Sequence, residues 1–257
     1  MALPRPAHDW ALFLDFDGTL AEIAERPDDV SVHPPLPSTL AAVSEALDGA
    51  LAIVSGRPLL EIDALLAPLT LPVAGLHGLE RRDGGGRVAR ANAPSGELKS
   101  ARRVLADFVR GAPGLVLEDK GLTLALHFRQ SPARRAECRR AVDRALAAGS
   151  GALHVLEGKM VYEIKPAEID KGKAIAAFLS EPPFAGRVPV FAGDDITDED
   201  GFAMVNRLGG VSIRVGDGAA TRAGWRAASV DEFLDWLDRL PDGARAQSTS
   251  TGKGSHG

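Results

Sequence analysis

The sequence predicts an α/β protein whose parallel sheet is interrupted by an inserted α+β segment, and three observations carry this prediction. Short, wholly apolar runs alternate with helical stretches toward both ends of the chain, which is typical of parallel strands joined by crossover helices. Residues 97–166 instead follow the order αββαββ, with short turns between paired strands. Polar clusters follow the apolar runs, at the sheet edge where open α/β sheets bind ligands.

The composition is that of an ordinary globular protein and argues against several classes of function. Of the 257 residues, 45% are hydrophobic and 25% are charged, which suits one large domain or two smaller ones. The net charge of -5, without a long Lys/Arg run, disfavours binding to nucleic acids or membrane surfaces. The single cysteine, Cys138, excludes an intrachain disulfide. Because no signal peptide or membrane-length apolar stretch is present, we expect a cytoplasmic protein.

The first strand, predicted over residues 11–14, ends in the motif Asp15-Phe16-Asp17-Gly18-Thr19-Leu20. One carboxylate of such a motif can attack phosphorus or bind a hard cation, while the second transfers protons. Gly18 permits a tight turn, and Thr19 adds a hydroxyl. An Asp-rich turn is the alternative, but the complete motif after a buried strand favours chemistry.

Strands and helices continue to alternate up to the insertion. The predicted elements are a helix over 38–48, a strand over 50–54, a helix ending near 66, a strand over 72–74, a hairpin over 80–88 and a linker over 93–96. The strand over 50–54 ends in Ser55-Gly56-Arg57, and the next strand leads into His77 and Gly78. This order indicates right-handed crossovers in one sheet.

The insertion contains polar side chains that alternate along its strands. Its predicted elements are helices over 97–110 and 132–148 and strands over 115–120, 122–129, 153–157 and 160–165. Side chains two apart on a strand share a face, so Glu118 lies beside Lys120 and Glu163 beside Lys165. Carboxylates mixed with cations suit a polyhydroxylated sugar. The alternative is a solvated sheet face that carries surface charges.

The parallel pattern resumes after the insertion. We predict a helix from Asp170 to 179, a strand over 188–192, a helix over 197–206 capped by Thr197, a strand over 211–215, a helix over 231–240 and a disordered tail over 247–257. The strand over 188–192 ends in Gly193-Asp194-Asp195-Ile196-Thr197-Asp198-Glu199.

A metal site follows if the strands over 11–14 and 188–192 are neighbours. Their ends would then lie about 5 Å apart, and the carboxylates of Asp15, Asp17 and Asp194 would converge. Like charges at that distance repel unless a cation lies among them. Oxygen ligands with retained waters suit Mg²⁺.

These motifs, in this order, resemble those of the haloacid dehalogenase-like (HAD) phosphohydrolases, and the segment Gly193–Glu199 with the αββαββ insertion is similar to the trehalose-6-phosphate phosphatase family. The resemblance implies a Rossmann-like HAD core over 1–96 and 167–246 and an inserted α+β cap of the C2 type over 97–166. The sequence departs from the family pattern at Asp170, where Asn is common, and at Phe16, where Tyr is frequent.

The same resemblance implies a Mg²⁺-dependent hydrolysis of trehalose 6-phosphate through an aspartyl-phosphate. Asp15 would be the nucleophile and Asp17 the acid and base, with Mg²⁺ held by Asp15, Asp194 and the backbone carbonyl of Asp17. Further implied roles are catalysis and phosphate binding by Ser55 and Lys171, phosphate binding by Thr19 and Gly56, sugar binding by Glu118, Lys120, Arg129 and Glu163, and supporting roles for Asp195 and Asp198. His77 and Gly78 either line the substrate pocket or form a structural turn.

Other functions stay open at this point. Another sugar phosphate, such as sucrose phosphate, could be the substrate, and a phosphotransferase or mutase would use the same groups. A non-catalytic phosphatase-like regulatory module is the alternative from a different class. For the partners we expect a small sugar phosphate, no nucleic acid, no membrane, functional coupling to a trehalose-6-phosphate synthase, and a monomeric chain.

Overall fold

The computed structural model describes residues 3–24, 26, 29–218 and 220–251 of the chain. It divides into two compact units. The first contains the chain up to Ala89, Asp170–Asp194 and the residues from Asp198 onward, and the second contains Arg90–Ile169 with Asp195–Thr197. Within the described ranges, every helix is too short or too polar to cross a membrane.

Strands and helices alternate as the sequence predicts. The strands of the described residues are, in chain order, β1 (Trp10–Leu14), β2 (Leu51–Val54), β3 (Val73–Gly75), β4 (Glu80–Arg82), β5 (Val88–Arg90), β6 (Val116–Asp119), β7 (Leu124–His127), β8 (Leu153–Gly158), β9 (Val161–Pro166), β10 (Val188–Gly193), β11 (Val211–Val215) and β12 (Trp225–Ala227). The helices are α1 (Leu36–Ala46), α2 (Leu59–Leu66), α3 (Ser95–Val109), α4 (Arg135–Leu146), α5 (Lys171–Leu179), α6 (Glu199–Arg207), α7 (Val230–Asp238) and α8 (Leu240–Thr251).

The first unit is built on one sheet of order β12-β11-β10-β1-β2-β3-β4-β5. The strands from β12 to β3 run parallel, and β4 returns antiparallel to β3. Leu12 of β1 pairs with Val190 on one side and with Leu51 on the other. Every residue of β1 and β2 is buried, which explains why these strands are continuous apolar runs rather than alternating ones. The predicted adjacency of the first strand and the strand over 188–192 is confirmed.

An aromatic cluster attaches α5 to the central strand of this sheet. The ring of Phe13 in β1 lies 5.9 Å from that of Phe178 in α5 and 5.5 Å from that of Phe184, measured between ring centroids. All three side chains are fully buried. Burial of each phenylalanine side chain contributes about 1.5–3 kcal/mol to the free energy of folding. This cluster therefore stabilises the packing of α5 against the sheet.

The second unit has the observed order αββαββ, from α3 to β9. Its strands form an antiparallel sheet of order β6-β7-β9-β8. Leu124, Leu126 and Ile164 are fully buried on one face, in a cluster with Cys138 and Ala141 of α4. The intervening residues of β7 and β9 point to the opposite face, where the predicted sugar-binding residues lie.

Two predicted helix boundaries and the predicted tail are corrected by the structure. Helix α6 begins at Glu199 after a 3₁₀ turn over Ile196–Asp198, so Thr197 is not its N-cap. Asp198 occupies that position, but its side chain makes no capping hydrogen bond and instead contacts Lys171 and the Asp194 amide. The last helix, α8, continues to Thr251, since Leu240 and Ala244 are anchored in the core, whereas residues 252–257 lie outside the described residues. The strand β12 was not predicted, because a charged residue, Arg226, lies at its centre and interrupts any apolar run.

Candidate active site

The loop after β1 is a tight turn that starts at Asp15. The amide of Asp15 donates to the carbonyl of Ala192, which extends the pairing with β10 by one residue. The amides of Gly18 and Thr19 donate to Ala21 and Phe16 inside the turn, at 2.7 and 3.3 Å. These two amides are therefore used by the loop itself. Gly18 has a φ of +80°, a conformation that glycine adopts without strain.

A buried lysine joins two of the predicted acidic residues. The Nζ of Lys171 lies 2.7 Å from Oδ1 of Asp15 and 2.6 Å from Oδ1 of Asp198. Lys171 is the first residue of α5, and Asp170 caps this helix by accepting a hydrogen bond from the amide of Lys173 at 2.8 Å. This contact suits the implied supporting role of Asp198, which stays a prediction.

Asp194 joins this cluster from the end of β10. Its amide donates to Oδ2 of Asp198 at 2.9 Å, so one carboxylate binds both Lys171 and the backbone that carries Asp194. Two glycines allow the carboxylates of Asp194 and Asp198 to lie close to the backbone. A Cβ on Gly18 would lie 2.2 Å from Oδ2 of Asp194, and one on Gly193 would lie 2.3 Å from Cγ of Asp198. A side chain at either position would displace a carboxylate.

The electrostatics of the cluster favour an additional cation. One oxygen each from Asp15, Asp194 and Asp198 lies within 4.8 Å of the others, and all three residues are buried. Burial, and then the Asp198 carboxylate, raise the pKa of Asp15 well above its ordinary value although Lys171 lowers it. Burial alone would lower the pKa of Lys171, but the carboxylates of Asp15 and Asp198 outweigh it and raise that pKa.

Three buried carboxylates facing one ammonium leave an excess of two negative charges, which a divalent cation would neutralise. Carboxylate oxygens are the ligands preferred by Mg²⁺ and other hard cations. The donor set therefore fits a divalent metal ion.

The structure corrects the expected convergence of Asp15, Asp17 and Asp194. The Asp17 carboxylate forms a two-pronged ion pair with Arg57, whose Nε and Nη2 donate at 2.7 and 2.8 Å. Arg57 also donates to Glu61 at 3.1 Å. Asp198, from the other end of the chain, takes the third position in the carboxylate cluster. Asp17 lies elsewhere because a guanidinium fork, which matches both carboxylate oxygens, is within its reach.

The remaining predicted residues of the first unit lie in the loops after β1, β2 and β3. Ser55 is buried after β2, and its Oγ accepts a hydrogen bond from the Arg57 amide at 3.2 Å. Gly56 lies between these two residues. The hydroxyl of Thr19 is buried and finds no hydrogen-bond partner among the described residues, so its phosphate-binding role stays a prediction.

His77 and Gly78 form part of a 3₁₀ turn with positive φ angles of 60° and 114°. The amide of His77 donates to the carbonyl of Ser55 at 2.9 Å, which ties this turn to the loop after β2. Leu76 before it also has a positive φ of 51°. Two consecutive non-glycine residues in this region store backbone strain, which is frequent at functional sites.

The predicted sugar-binding residues lie together on the sheet of the second unit. Glu118 in β6 pairs with Ala125 in β7, which pairs with Glu163 in β9. The Nζ of Lys120 is 3.9 Å from Oε2 of Glu118 and 3.9 Å from Oε1 of Glu163. Burial would raise the pKa of Glu118, but its hydrogen bond with His127 and the charge of Lys120 outweigh this and lower it.

Arg129 and Asp195 both contact the backbone of Lys159. Arg129 follows β7, and its Nη2 donates to the carbonyl of Lys159 at 3.1 Å. Asp195 belongs to the second unit, where its Oδ2 accepts a hydrogen bond from the Lys159 amide at 3.2 Å. Its predicted support of a metal site stays a prediction.

Arg57 is the residue for which the sequence did not predict a role. It belongs to the Ser55-Gly56-Arg57 cluster after β2, so the position at the sheet edge was evident. Its partner was not evident from the sequence, because Asp17 is 40 residues away in the chain. Several cationic side chains are also predicted at the same sheet edge.

Known proteins resemble the chain over most of its length. A family model described as trehalose-phosphatase matches residues 13–231. The trehalose-6-phosphate phosphatase of Escherichia coli K12 is 44% identical over 237 residues, which are 92% of this chain and 88% of the relative.

Solved structures agree with this likeness. The crystal structure of a trehalose-6-phosphate phosphatase related protein is 27% identical, with a TM-score of 0.75 over 92% of this chain and 99% of its own. A phosphatase of the HAD superfamily from Bacteroides thetaiotaomicron is 18% identical, with a TM-score of 0.61 over 94% of this chain and 98% of its own, a likeness of fold alone. The predicted α/β HAD-like fold is confirmed.

Proposed function

The chain belongs to the trehalose-phosphatase family, and from that premise we propose that it hydrolyses trehalose 6-phosphate to trehalose and phosphate. The observation that carries this proposal is the buried cluster of Asp15, Lys171, Asp194 and Asp198 at the ends of two adjacent strands. Burying four charged groups carries a large desolvation penalty, and a non-catalytic regulatory module would gain no activity that offsets it.

Asp15 is the nucleophile of the proposed reaction. Its carboxylate attacks phosphorus, the bond from phosphorus to the sugar oxygen breaks, and an aspartyl-phosphate forms. Water then attacks this phosphorus and releases phosphate with the free carboxylate. Lys171, at 2.7 Å from Asp15, orients the nucleophile and would stabilise negative charge on the phosphoryl oxygens, together with Ser55.

Asp17 is the proposed acid and base. It protonates the departing sugar oxygen in the first step and accepts a proton from the attacking water in the second. Each of its oxygens accepts one hydrogen bond from the Arg57 guanidinium and keeps a second lone pair that can take up the proton. Arg57 is thus the residue that orients the carboxylate between turnovers.

A divalent cation, for which we propose Mg²⁺, would be held by Asp15, Asp194 and the backbone carbonyl of Asp17. When bound, this cation offsets the repulsion between the anionic nucleophile and the dianionic phosphate. The support for it is the uncompensated negative charge of the buried carboxylates.

Recognition of the sugar is assigned to Glu118, Lys120 and Glu163 of the second unit. Two carboxylate acceptors and an ammonium donor within 3.9 Å of both carboxylates suit the hydroxyls of a disaccharide. Arg129, His77 and Gly78 are further candidates for this role. The monomeric state, the coupling to a synthase and the cytoplasmic location stay predictions.

A panel of sugar phosphates tests the proposal directly. Phosphate release from trehalose 6-phosphate, sucrose 6-phosphate and glucose 6-phosphate is measured with Mg²⁺ and with EDTA. We expect turnover of trehalose 6-phosphate that requires the metal, and weak turnover of the other two. Preference for another member of the panel would replace the substrate that we propose.

The variant Asp15→Asn tests the nucleophile on the same panel. It should fold and lose nearly all turnover, because the amide is a poor nucleophile and does not form the acyl phosphate. Phosphate release at the wild-type rate by this variant would show that the nucleophile is another residue. Circular dichroism of the variant provides the control for folding.

A further inference from the structure

Strand β7 places two hydrogen-bonding side chains on either side of Ala125. Thr123 directly precedes the strand, His127 ends it, and Ala125 is the residue that pairs with Glu118 and Glu163. Residues two apart on a strand project to the same face, so Thr123 and His127 share the face of both carboxylates. One strand can therefore reach the carboxylates of both of its neighbours.

Each side chain contacts one of the two carboxylates. The hydroxyl of Thr123 donates to Oε1 of Glu163 at 2.9 Å, and Nε2 of His127 lies 2.8 Å from Oε2 of Glu118. Thr123 is fully buried, so its hydroxyl is shielded from solvent. The lowered pKa of Glu118 keeps this carboxylate ionised, so the His127 nitrogen is the donor.

The oxygens held in this way are the ones that flank Lys120. Its Nζ is 3.9 Å from Oε2 of Glu118 and 3.9 Å from Oε1 of Glu163, beyond direct hydrogen-bond distance. Thr123 and His127 each make a short contact to one of these two oxygens. The ammonium adds attraction but does not by itself define the orientation of either carboxylate.

We propose that Thr123 and His127 are positioning residues that determine sugar specificity by orienting Glu163 and Glu118. This inference rests on the proposed function, since both carboxylates must contact the sugar. A free glutamate samples many rotamers, and ordering it on binding weakens affinity. The contacts from β7 remove that freedom during folding, so the sugar meets two carboxylates that are already oriented.

Thr123 is tested by two matched variants on two substrates. In Thr123→Val the shape is kept and the donor is lost, whereas Thr123→Ser keeps the donor. We expect Thr123→Val to raise KM for trehalose 6-phosphate by about tenfold, with kcat little changed and turnover of p-nitrophenyl phosphate unaffected. Thr123→Ser should restore KM to near the wild-type value. Equal impairment of Thr123→Ser and Thr123→Val would overturn the role of the hydroxyl.

His127 provides a second test that does not depend on the folding of a buried-threonine variant. His127→Leu removes the donor, and His127→Gln offers an amide N–H in its place. The leucine variant should raise KM for the sugar phosphate by about tenfold, and the glutamine variant should recover a large part of this loss. Equal effects of His127→Leu on the sugar phosphate and the aryl phosphate would contradict the proposal.

The variant Glu118→Ala separates failure of this inference from failure of the proposed function. It should lose the sugar phosphate selectively and keep the aryl phosphate. If it keeps the sugar phosphate, the proposed recognition by the second unit fails. If it is selective while Thr123→Val and His127→Leu behave like the wild type, only the positioning role fails.

Discussion

Asp17 stands two residues from Asp15, yet the two carboxylates have different partners. Asp15 faces Lys171 in a buried cluster, whereas the Asp17 side chain is about one third exposed and lies on Arg57. Arg57 is itself ordered by Glu61 and by the ring of Phe16, whose centroid is 5.9 Å from the guanidinium carbon. Two neighbouring acids of the same type thus acquire different electrostatic surroundings from the cations that each can reach.

At this scale we predict that Arg57→Ala lowers kcat for trehalose 6-phosphate by about tenfold to hundredfold. General acid and base catalysis contributes about 10²–10⁴ in rate, and a misoriented Asp17 forfeits part of it. Arg57→Lys should recover little, because an ammonium cannot bind both carboxylate oxygens as the fork does. Steady-state kinetics with the pure variants provide the measurement.

The control for this prediction is Glu61→Gln, which removes the negative charge of one partner of Arg57 and leaves the fork to Asp17 intact. Its kcat should stay within about twofold of the wild type, since half-exposed ion pairs contribute little. A kcat of Arg57→Ala equal to that of Glu61→Gln would mean that the fork has no part in catalysis.

Helix α5 shows how a single element serves the site and the fold. Its first residue is Lys171, although a cation at a helix N-terminus is unfavourable for the helix dipole. The carboxylates of Asp15 and Asp198 compensate for this, and the Asp170 side chain caps the free amide of Lys173. Gly172 has no Cβ, which would lie 2.7 Å from the carbonyl oxygen of Asp200, so α5 and α6 can pack closely.

We predict that Asp170→Ala lowers the free energy of unfolding by about 1 kcal/mol, the usual cost of a lost N-cap. It should also reduce kcat, because the first turn of α5 carries Lys171. Urea unfolding and steady-state kinetics measure the two effects.

Ser229→Ala is the matched control, because Ser229 caps α7 by accepting a hydrogen bond from the Glu232 amide at 3.1 Å. It should cost a similar free energy of unfolding and leave kcat unchanged. If Asp170→Ala also left kcat unchanged, the link between this cap and the site would be refuted.

At the scale of the whole molecule, the buried negative charge should couple metal binding to stability. A ligand that binds only the folded state stabilises it by about 2.7 kcal/mol at a hundredfold excess over Kd. In a chain of this length, each kcal/mol of stabilisation raises Tm by about 2–4 °C. We therefore predict a Tm higher by about 5–10 °C in Mg²⁺ than in EDTA, measured by thermal unfolding.

Gly18→Ala should abolish this metal-dependent difference, because its Cβ would lie 2.2 Å from the Asp194 carboxylate. Gly86→Ala is the control, with a similar φ of +82° and nothing within 4 Å of the added Cβ. It shares the backbone strain but should keep the full metal-dependent difference. Loss of the difference in both variants would assign the effect to strain rather than to the metal site.

Much of this architecture follows from patterns within short segments. The apolar runs of β1, β2 and β10 predict buried parallel strands, and polar residues at their ends predict a site at one edge. The alternation along β6, β7 and β9 places Glu118 and Glu163 on one face. These features depend on the geometry of the local backbone, which the order of residues determines without knowledge of distant contacts.

The sequence by itself determined the fold class and the positions of the acidic motifs at the ends of predicted strands. Only the tertiary structure decided that the strands carrying Asp15 and Asp194 are neighbours and which charged groups meet there. It places Asp198 rather than Asp17 beside these two carboxylates and Arg57 on Asp17. It also places Thr123 and His127 on the carboxylates of the second unit. The physical reason is that the periodicity of the sequence predicts only which face of a strand or which edge of a sheet a side chain lies on. Its partner is then selected by competition among all the charges that folding brings within a few ångströms, and most of those come from distant parts of the chain.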